Sequence, residues 1–289
     1  MKFRPLGATG LSVPVIGLGA MQLGEPGVSD AAAANLLCLA RDLGVTLIDT
    51  ARAYGESERR IGDFLRRHRD QMLVSTKVGY GIPGVPDWTP EAVLQGVDAA
   101  CRRLGSEVLD IVHLHSCDRH ALEHGGVAEA LGQKVREGKV RCAAYSGENE
   151  ALQYAVASGS FSVVQASVSP WDQASLEGAL AAAAGRGLGV LAKRPLATAP
   201  WRETGAEPVY RERFSSLAGS LGEVEDWAEL ALRFSAFAGP VSCCLVGTAN
   251  PAHLEAAVAA VGKGPLAPEV QQSIQTAWRS QGADWPGII

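Results

Sequence analysis

Short apolar runs alternate with longer amphipathic stretches along almost the whole chain. Runs of this length predict buried strands, and the stretches between them carry apolar residues at helical spacing. The predicted strands cover residues 13–18, 46–49, 72–77, 109–115, 140–146, 163–167, 189–193 and 241–246. Eight strand and helix units favour an α/β fold of the (β/α)8 TIM-barrel type over an open sheet.

The helix beginning near Thr89 shows how clearly the stretches between strands are delimited. Thr89 offers a capping hydroxyl, Pro90 suits the first helical position, and Glu91 places an acid at the positive end of the helix dipole. The apolar stripe that follows stops at Gly105, a residue suited to ending a helix. Asn250, a capping residue followed by proline, begins another helix as Thr89 does.

Three segments stand outside the repeat. Residues 3–11 are predicted to form a small β-hairpin that caps the barrel floor, and residues 195–225 a long loop. Residues 268–280 are predicted to form an extra C-terminal helix, and we expect the tail from about residue 282 to residue 289, which ends in the apolar run 285–289, to fold over the substrate pocket. We expect residues 1–289 to form a single barrel domain.

Composition narrows the choice of partners. Of the 289 residues, 47% are hydrophobic and 20% charged, and the net charge is -5. A chain without a basic excess has little attraction for phosphate backbones or acidic lipid, so we expect neither a nucleic-acid nor a membrane partner. The N-terminus lacks the apolar core of a signal peptide, and the six cysteines show no CxxC spacing. We therefore expect a cytoplasmic protein with reduced thiols.

Ionisable residues end three of the predicted strands. Asp49, Lys77 and His115 each complete an apolar run, and Tyr54 follows Asp49 after a short turn. The carboxyl ends of barrel strands meet at one face, where barrel enzymes carry their chemistry. The pattern therefore predicts that these four side chains share one active site.

The segments around these residues resemble the three catalytic blocks of the aldo-keto reductases. The blocks are residues 47–58, 75–79 and 110–115, and the similarity extends from the first hairpin to the last helix. The resemblance implies a catalytic tetrad of Asp49, Tyr54, Lys77 and His115. In such an enzyme Tyr54 gives a proton to the developing alkoxide, Lys77 favours the phenolate, Asp49 balances Lys77, and His115 orients the carbonyl group.

The resemblance also implies a nicotinamide cofactor. Ser146 and Gln165 match the residues that bind the nicotinamide carboxamide. The family often stacks an aromatic residue on the nicotinamide at the end of the seventh barrel strand, where this chain has Lys193, followed by Arg194. These two cations either contact the cofactor or form salt bridges at the barrel rim.

The eighth barrel strand leads into a helix N-terminus that can bind an anion. By resemblance, Gly247, Thr248, Asn250 and His253 surround the 2'-phosphate of the cofactor. His253 stands where the family often has arginine, so NADPH is the expected cofactor and NADH is not excluded.

Two other functions can be weighed against a small-molecule carbonyl reductase. His113 and His115 form an HxH pattern that could begin a metal site, but the next three strands supply no further histidine, and we interpret His113 as a barrel-interior residue. The second is a regulatory or redox-sensor barrel that binds the dinucleotide with little turnover. We expect a monomer or a weak homo-oligomer.

Overall fold

The computed structural model describes all residues, 1–289, and contains a hairpin and a closed barrel. The hairpin strands are β1 (Phe3–Pro5) and β2 (Ser12–Pro14). The barrel strands are β3 (Ile16–Gly19), β4 (Leu47–Asp49), β5 (Leu73–Val78), β6 (Leu109–His115), β7 (Val140–Ser146), β8 (Val163–Ser167), β9 (Gly189–Lys193) and β10 (Cys243–Gly247). All neighbouring barrel strands are parallel, and β10 closes the ring against β3, which confirms the predicted (β/α)8 barrel.

Helices surround the barrel and contribute the outer half of its core. They are α1 (Asp30–Asp42), α2 (Ser57–His68), α3 (Pro90–Leu104), α4 (Arg119–His124), α5 (Val127–Arg136), α6 (Asn149–Ser158), α7 (Ala181–Gly185), α8 (Pro208–Ala218), α9 (Trp227–Ala236), α10 (Pro251–Gly262) and α11 (Pro268–Gln281). Except for α8, their apolar faces pack against the strands to form the main hydrophobic core. No helix is both long enough and apolar enough to cross a membrane.

The residues that begin and end α3 confirm the sequence prediction. The Thr89 hydroxyl accepts a hydrogen bond from the Ala92 amide at 3.2 Å, and Pro90 occupies the first helical position. Gly105 ends the helix in the left-handed conformation, with φ of +60°. Local residue chemistry therefore determines both ends of this helix.

The first predicted strand, residues 13–18, divides into two. Val13 pairs with Arg4 in the hairpin, and the barrel strand begins only at Ile16. The hairpin caps the N-terminal end of the barrel: Leu6 is fully buried there, and the Ala8 amide donates to the Gly187 carbonyl at 2.7 Å. Residues 13–18 are almost all apolar, so the sequence does not show where antiparallel pairing in the hairpin changes to parallel pairing in the barrel.

The segment 195–225 is not a simple loop, because it contains α8. Tyr210, Arg213 and Leu217 are buried at helical spacing on one side of α8. They pack into an aromatic layer above the barrel, formed with Trp171, Trp201, Phe214, Trp227, Trp278 and Trp285. The extra helix α11 runs from Pro268 to Gln281, and it also contributes to this layer.

Candidate active site

One side of the barrel mouth holds the four residues predicted to act together. Lys77 Nζ donates to Asp49 Oδ2 at 2.6 Å and lies 5.0 Å from the centroid of the Tyr54 ring. The rings of Tyr54 and His115 meet edge to face, with centroids 5.9 Å apart. The ends of β4, β5 and β6 thus bring the four side chains together, and we call this side the tetrad half of the mouth.

The loop that carries Tyr54 is fixed by a close approach of two backbone segments. A side chain at Gly24 would place its Cβ 1.7 Å from the Tyr54 carbonyl oxygen, so only glycine fits there. Gly55 turns with φ of +48° beside the same segment. The Ser57 hydroxyl adds a hydrogen bond to the Ala20 carbonyl at 2.7 Å. Tyr54 is therefore held in place by main-chain packing and is not on a free loop.

The charges of Lys77 and Asp49 depend on each other. Burial disfavours the ammonium group of Lys77, but the Asp49 carboxylate and Tyr54 outweigh this effect and raise the pKa of Lys77. Burial likewise opposes ionisation of Asp49, but the charge of Lys77 and the hydrogen bonds from Lys77 and Ser75 to its carboxylate hold its pKa below the usual value. Lys77 Nζ also donates to the Thr50 carbonyl at 2.8 Å. The pair therefore stays ionised although it is almost completely buried.

Asp49 is also the centre of a buried hydrogen-bond chain. Its Oδ1 atom accepts from the Ser75 hydroxyl at 2.7 Å and from the Gln165 amide at 3.0 Å. The Ser146 hydroxyl donates to Gln165 Oε1 at 2.9 Å, and Ser75 Oγ lies 2.9 Å from His113 Nε2. The two residues predicted to bind the carboxamide are therefore joined to the tetrad through one carboxylate.

The two histidines of β6 are held neutral. Burial is the largest cause of the low pKa of His113, about 3, and Lys77 adds to it against the opposing charge of Asp49. Burial, then the charges of Lys77 and Lys193, lower the pKa of His115 to about 3. His113 is fully buried beneath the mouth, where its Nε2 atom is hydrogen-bonded to Ser75 Oγ.

The opposite side of the mouth, at the ends of β7, β8 and β9, is organised around a different ion pair. Lys193 Nζ lies 3.3 Å from Glu148 Oε1, and the Glu148 side chain is fully buried. Glu148 also accepts from the Ser167 amide at 2.8 Å and from the Ser175 hydroxyl at 3.3 Å. Lys193 thus forms the salt bridge that was one of the two expectations for it. We call this side, together with residues 285–289, the tail half.

The C-terminal tail binds along these strand ends. Asn149 makes two hydrogen bonds to the backbone of Gly287, at 2.8 and 3.0 Å. The Ile288 carbonyl accepts from Arg194 at 2.6 Å and from the Ser167 hydroxyl at 3.3 Å. Arg194, predicted to contact the cofactor, therefore also anchors the tail. Arg194 and Asn149 both adopt a positive φ of 55°, which asparagine tolerates well and which is uncommon for arginine.

Asp172 is a second buried acid of the tail half. Its Oδ2 atom accepts from the Ile288 amide at 3.2 Å and from the Tyr210 hydroxyl at 3.3 Å, and the guanidinium group of Arg213 lies 3.7 Å from Oδ1. Burial, and then the charge of Glu148, raise the pKa of Asp172 to about 7. The tail is thus held by a carboxyl group that titrates near neutrality.

The residues predicted to surround a phosphate lie at the junction of β10 and α10. Asn250 caps α10 by accepting from the Ala252 amide at 3.0 Å, and the Thr248 hydroxyl accepts from the Asn250 amide at 3.0 Å. Gly247 and His253 are exposed beside them. The helix N-terminus is therefore partly satisfied by its own side chains, and His253 is positioned at its edge.

Several residues of the site were missed by sequence reasoning. Contacts between distant segments reveal the roles of Ser75, Asp172 and Tyr80. The Tyr80 hydroxyl, for example, lies 2.9 Å from His115 Nδ1. Glu148, two residues after Ser146, carried a signal in the sequence, because the charge of Lys193, which stands where an aromatic residue was expected, needs a partner of opposite sign. Two unusual charges of opposite sign, at the ends of β7 and β9 with only β8 between them, are a signal for an ion pair.

The chain is similar in sequence to known oxidoreductases and matches one protein family. The sequence model described as the aldo/keto reductase family matches residues 15–279. L-galactose dehydrogenase from Arabidopsis thaliana is 29% identical over 283 residues, which cover 90% of this chain and 88% of that protein. 6-dehydroglucose reductase from Novosphingobium aromaticivorans is 33% identical over 153 residues, which cover 48% of this chain and only about half, 49%, of that protein.

A solved structure shares the whole fold. The holo form of an aldo-keto reductase from Bacillus halodurans has a TM-score of 0.84 and 24% sequence identity, with 96% of both chains covered. The barrel, its hairpin and its outer helices therefore follow the arrangement of that family.

Proposed function

Because the chain belongs to the aldo/keto reductase family, we propose that it is an NAD(P)H-dependent oxidoreductase that reduces an aldehyde or ketone to an alcohol. Membership itself supports carbonyl oxidoreduction. The observation that carries the finer proposal is the convergence of Tyr54, Lys77, Asp49 and His115 on one side of the barrel mouth.

Each residue of the tetrad half has a role in this proposal. Transfer of a hydride to the carbonyl carbon turns the carbonyl oxygen into a developing alkoxide, and Tyr54 gives its hydroxyl proton to that oxygen. The Lys77 ammonium, 5.0 Å from the Tyr54 ring, stabilises the resulting phenolate. Asp49 keeps Lys77 charged and in place through the 2.6 Å contact. His115 is neutral and can donate a ring N–H to the same oxygen.

The side chains at the mouth fit a nicotinamide cofactor in part. Ser146 and Gln165 offer a hydroxyl and an amide to a carboxamide group, and both already lie in the chain of hydrogen bonds that ends on Asp49. When bound, the cofactor supplies the hydride. Where the family often has an aromatic residue, the alkyl stem of Lys193, oriented by Glu148, would offer the nicotinamide an apolar surface. Arg194 lies at the same strand end.

We propose NADPH as the preferred cofactor, with NADH not excluded. Gly247, Thr248, Asn250 and His253 form the candidate site for the 2'-phosphate, supported by the helix N-terminus of α10 and the basic side chain at its edge. The proposal includes a cytoplasmic location and a monomer or weak homo-oligomer.

The substrate class is proposed from the relatives. The names of the relatives L-galactose dehydrogenase and 6-dehydroglucose reductase both refer to sugars or sugar derivatives. We therefore propose a polar, sugar-like carbonyl compound as the first class to assay, with apolar and aromatic aldehydes as the comparison class.

The test is to follow NADPH oxidation with aldoses, keto sugars and aromatic aldehydes, in the wild-type protein and in Tyr54→Phe. We expect Tyr54→Phe to lower turnover by at least about a hundredfold, the usual scale for a general acid, while its cofactor affinity is kept. Tyr154→Phe is the matched control, because Tyr154 lies on the outer helix α6 beside Arg119. Near-normal turnover in Tyr54→Phe would refute the proposed mechanism.

The alternative function, a dinucleotide-binding regulatory or redox-sensor barrel, is favoured by one observation. The tail half departs from the usual cofactor contacts, with Lys193 paired to Glu148 where an aromatic residue is common. This alternative predicts tight dinucleotide binding with no turnover for any carbonyl class, and the same assay distinguishes the two functions.

A further inference from the structure

Tyr80 makes a contact to the tetrad that the proposed mechanism does not use. Its hydroxyl lies 2.9 Å from His115 Nδ1, and the two rings stack with centroids 5.3 Å apart and planes inclined by 28°. Tyr54 meets the same imidazole edge to face. His115 is therefore placed between two tyrosines, one of which is bonded to its Nδ1 atom.

The hydrogen bond to Nδ1 determines what the other ring nitrogen can do. Burial and the charges of Lys77 and Lys193 keep His115 neutral, so one ring nitrogen carries a proton and the other accepts. Nε2 makes no hydrogen bond to any residue of the chain, whereas Nδ1 is bonded to Tyr80. If Tyr80 is the donor, the proton of the imidazole must be on Nε2.

We propose that Tyr80 is a positioning residue whose hydroxyl donates to His115 Nδ1 and so holds His115 in the tautomer with the proton on Nε2. That proton is then available to a carbonyl oxygen in the mouth. A phenol is the stronger acid and a neutral imidazole nitrogen the stronger base, which favours this direction of donation. Burial raises the pKa of Tyr80, so its hydroxyl keeps its proton. The role in turnover rests on the proposed function, whereas the tautomer does not.

The loop after β5 is built to place Tyr80 in this position. Gly79 has φ of +128°, and a Cβ there would lie 2.2 Å from the Trp88 ring, so only glycine allows Trp88 to pack over the turn. The Trp88 amide donates to the Gly79 carbonyl at 2.7 Å, and its ring meets Tyr80 with centroids 5.3 Å apart. These contacts fix the backbone and the ring of Tyr80 together.

A further bond connects this loop to the segment that carries Tyr54. Arg52 Nε donates to the Gly81 carbonyl at 2.8 Å, and the Gly81 amide donates to Asp87 Oδ1 at 2.9 Å. Arg52 lies two residues before Tyr54. The two tyrosines on either side of His115 are therefore held in a fixed relation, as pre-organisation of a proton donor requires.

The first test measures the tautomer directly. Long-range 1H–15N NMR spectra of protein labelled at histidine nitrogen distinguish the two tautomers, and His115→Asn assigns the signal. We expect the Nε2-protonated form in the wild type and a mixture of both forms in Tyr80→Phe. A wild-type imidazole protonated on Nδ1, or a tautomer that Tyr80→Phe leaves unchanged, would overturn the proposal.

The second test separates positioning from packing. Tyr80→Phe keeps the ring against Trp88 and removes only the hydroxyl, so we expect kcat to fall about tenfold with little change in KM or in cofactor affinity. Tyr154→Phe is again the control. An unchanged kcat would mean that Tyr80 only packs. If the wild type reduces no carbonyl compound, the proposed function fails, and the NMR result still decides the role of Tyr80.

Discussion

The two halves of the barrel mouth differ in which parts of the chain supply their residues. In the tetrad half, Asp49, Lys77 and His115 stand at the ends of three successive strands, and their partners are close by in the fold. In the tail half, Glu148 and Lys193 form the central pair, and residues 287 and 288, near the C-terminus, bind to the adjacent residues Asn149 and Arg194.

In the proposed mechanism, this difference corresponds to a division of roles. The tetrad residues would transfer a proton, which requires particular groups at particular distances. The tail half would present a surface and a field to the cofactor, so an ion pair with a docked peptide segment can stand in place of an aromatic residue there. Gly287 shows how closely the two parts fit, since a Cβ at this position would lie 3.1 Å from the Glu148 side chain.

The largest effect is expected from breaking the charge pair of the tetrad half. Lys77→Met leaves the buried Asp49 carboxylate without its ammonium partner, so we expect the free energy of unfolding to fall by about 3–5 kcal/mol. Turnover should fall by at least about a hundredfold. The double variant Asp49→Asn with Lys77→Met should recover part of the stability and none of the activity. Chemical denaturation and steady-state kinetics check both results, and a fully active Lys77→Met would contradict the assignment.

The second prediction concerns the pH dependence of stability in the tail half. The folded pKa of Asp172, about 7, is above its value of 3.8 in an unconstrained chain. The folded state therefore binds a proton that the unfolded state has lost, and this contribution to stability disappears as the pH rises from about 4 to 7. Its full size is about 4 kcal/mol.

Comparison of Asp172→Asn with the wild type isolates this effect. His113 and His115 act in the opposite sense, since their pKa values of about 3 mean that acid destabilises the folded state. The variant keeps both histidines and lacks only the titrating carboxyl group, so the unfolding free energy of the variant minus that of the wild type should increase between pH 4 and 7. Asp284→Asn, at an exposed position, is the control. Equal slopes would mean that Asp172 is ionised throughout.

The third prediction tests whether the tail supports the cofactor contacts or, as expected from the sequence, covers the substrate pocket. Deleting residues 286–289 removes the hydrogen bonds that anchor the side chains of Asn149 and Arg194 at these strand ends. We expect the Kd of the cofactor to rise about tenfold, equivalent to one or two lost hydrogen bonds, and KM of the carbonyl substrate to change less. Calorimetry measures the Kd. Deleting the exposed Ile289 alone is the control, and a larger effect on KM would place the tail at the substrate.

The smallest effect is expected at the phosphate site. His253 is exposed at the start of α10, where solvent screens its charge. His253→Ala should weaken NADPH binding about threefold and leave NADH binding unchanged. Parallel titrations with both cofactors check this. Equal losses for NADPH and NADH would remove His253 from the 2'-phosphate site.

Much of the fold followed from local patterns. The bounds of β6, β7, β8 and β9 agree with the predicted strands, because each is an apolar run between clear breaks. The split between β2 and β3 was missed, since continuous apolar character does not reveal which partner a strand has. Helix α8 was missed because its buried face, which includes Tyr210 and Arg213, is not purely apolar.

The sequence by itself determined the barrel and the convergence of Asp49, Tyr54, Lys77 and His115, because parallel strands bring their carboxyl ends to one face whatever the details of packing. Only the tertiary structure decided how these groups are supported. The contacts of Tyr80 with His115, of Glu148 with Lys193 and of Asn149 with Gly287 join residues that lie 35, 45 and 138 positions apart. Such pairs depend on loop conformation and burial, which have no period along the chain.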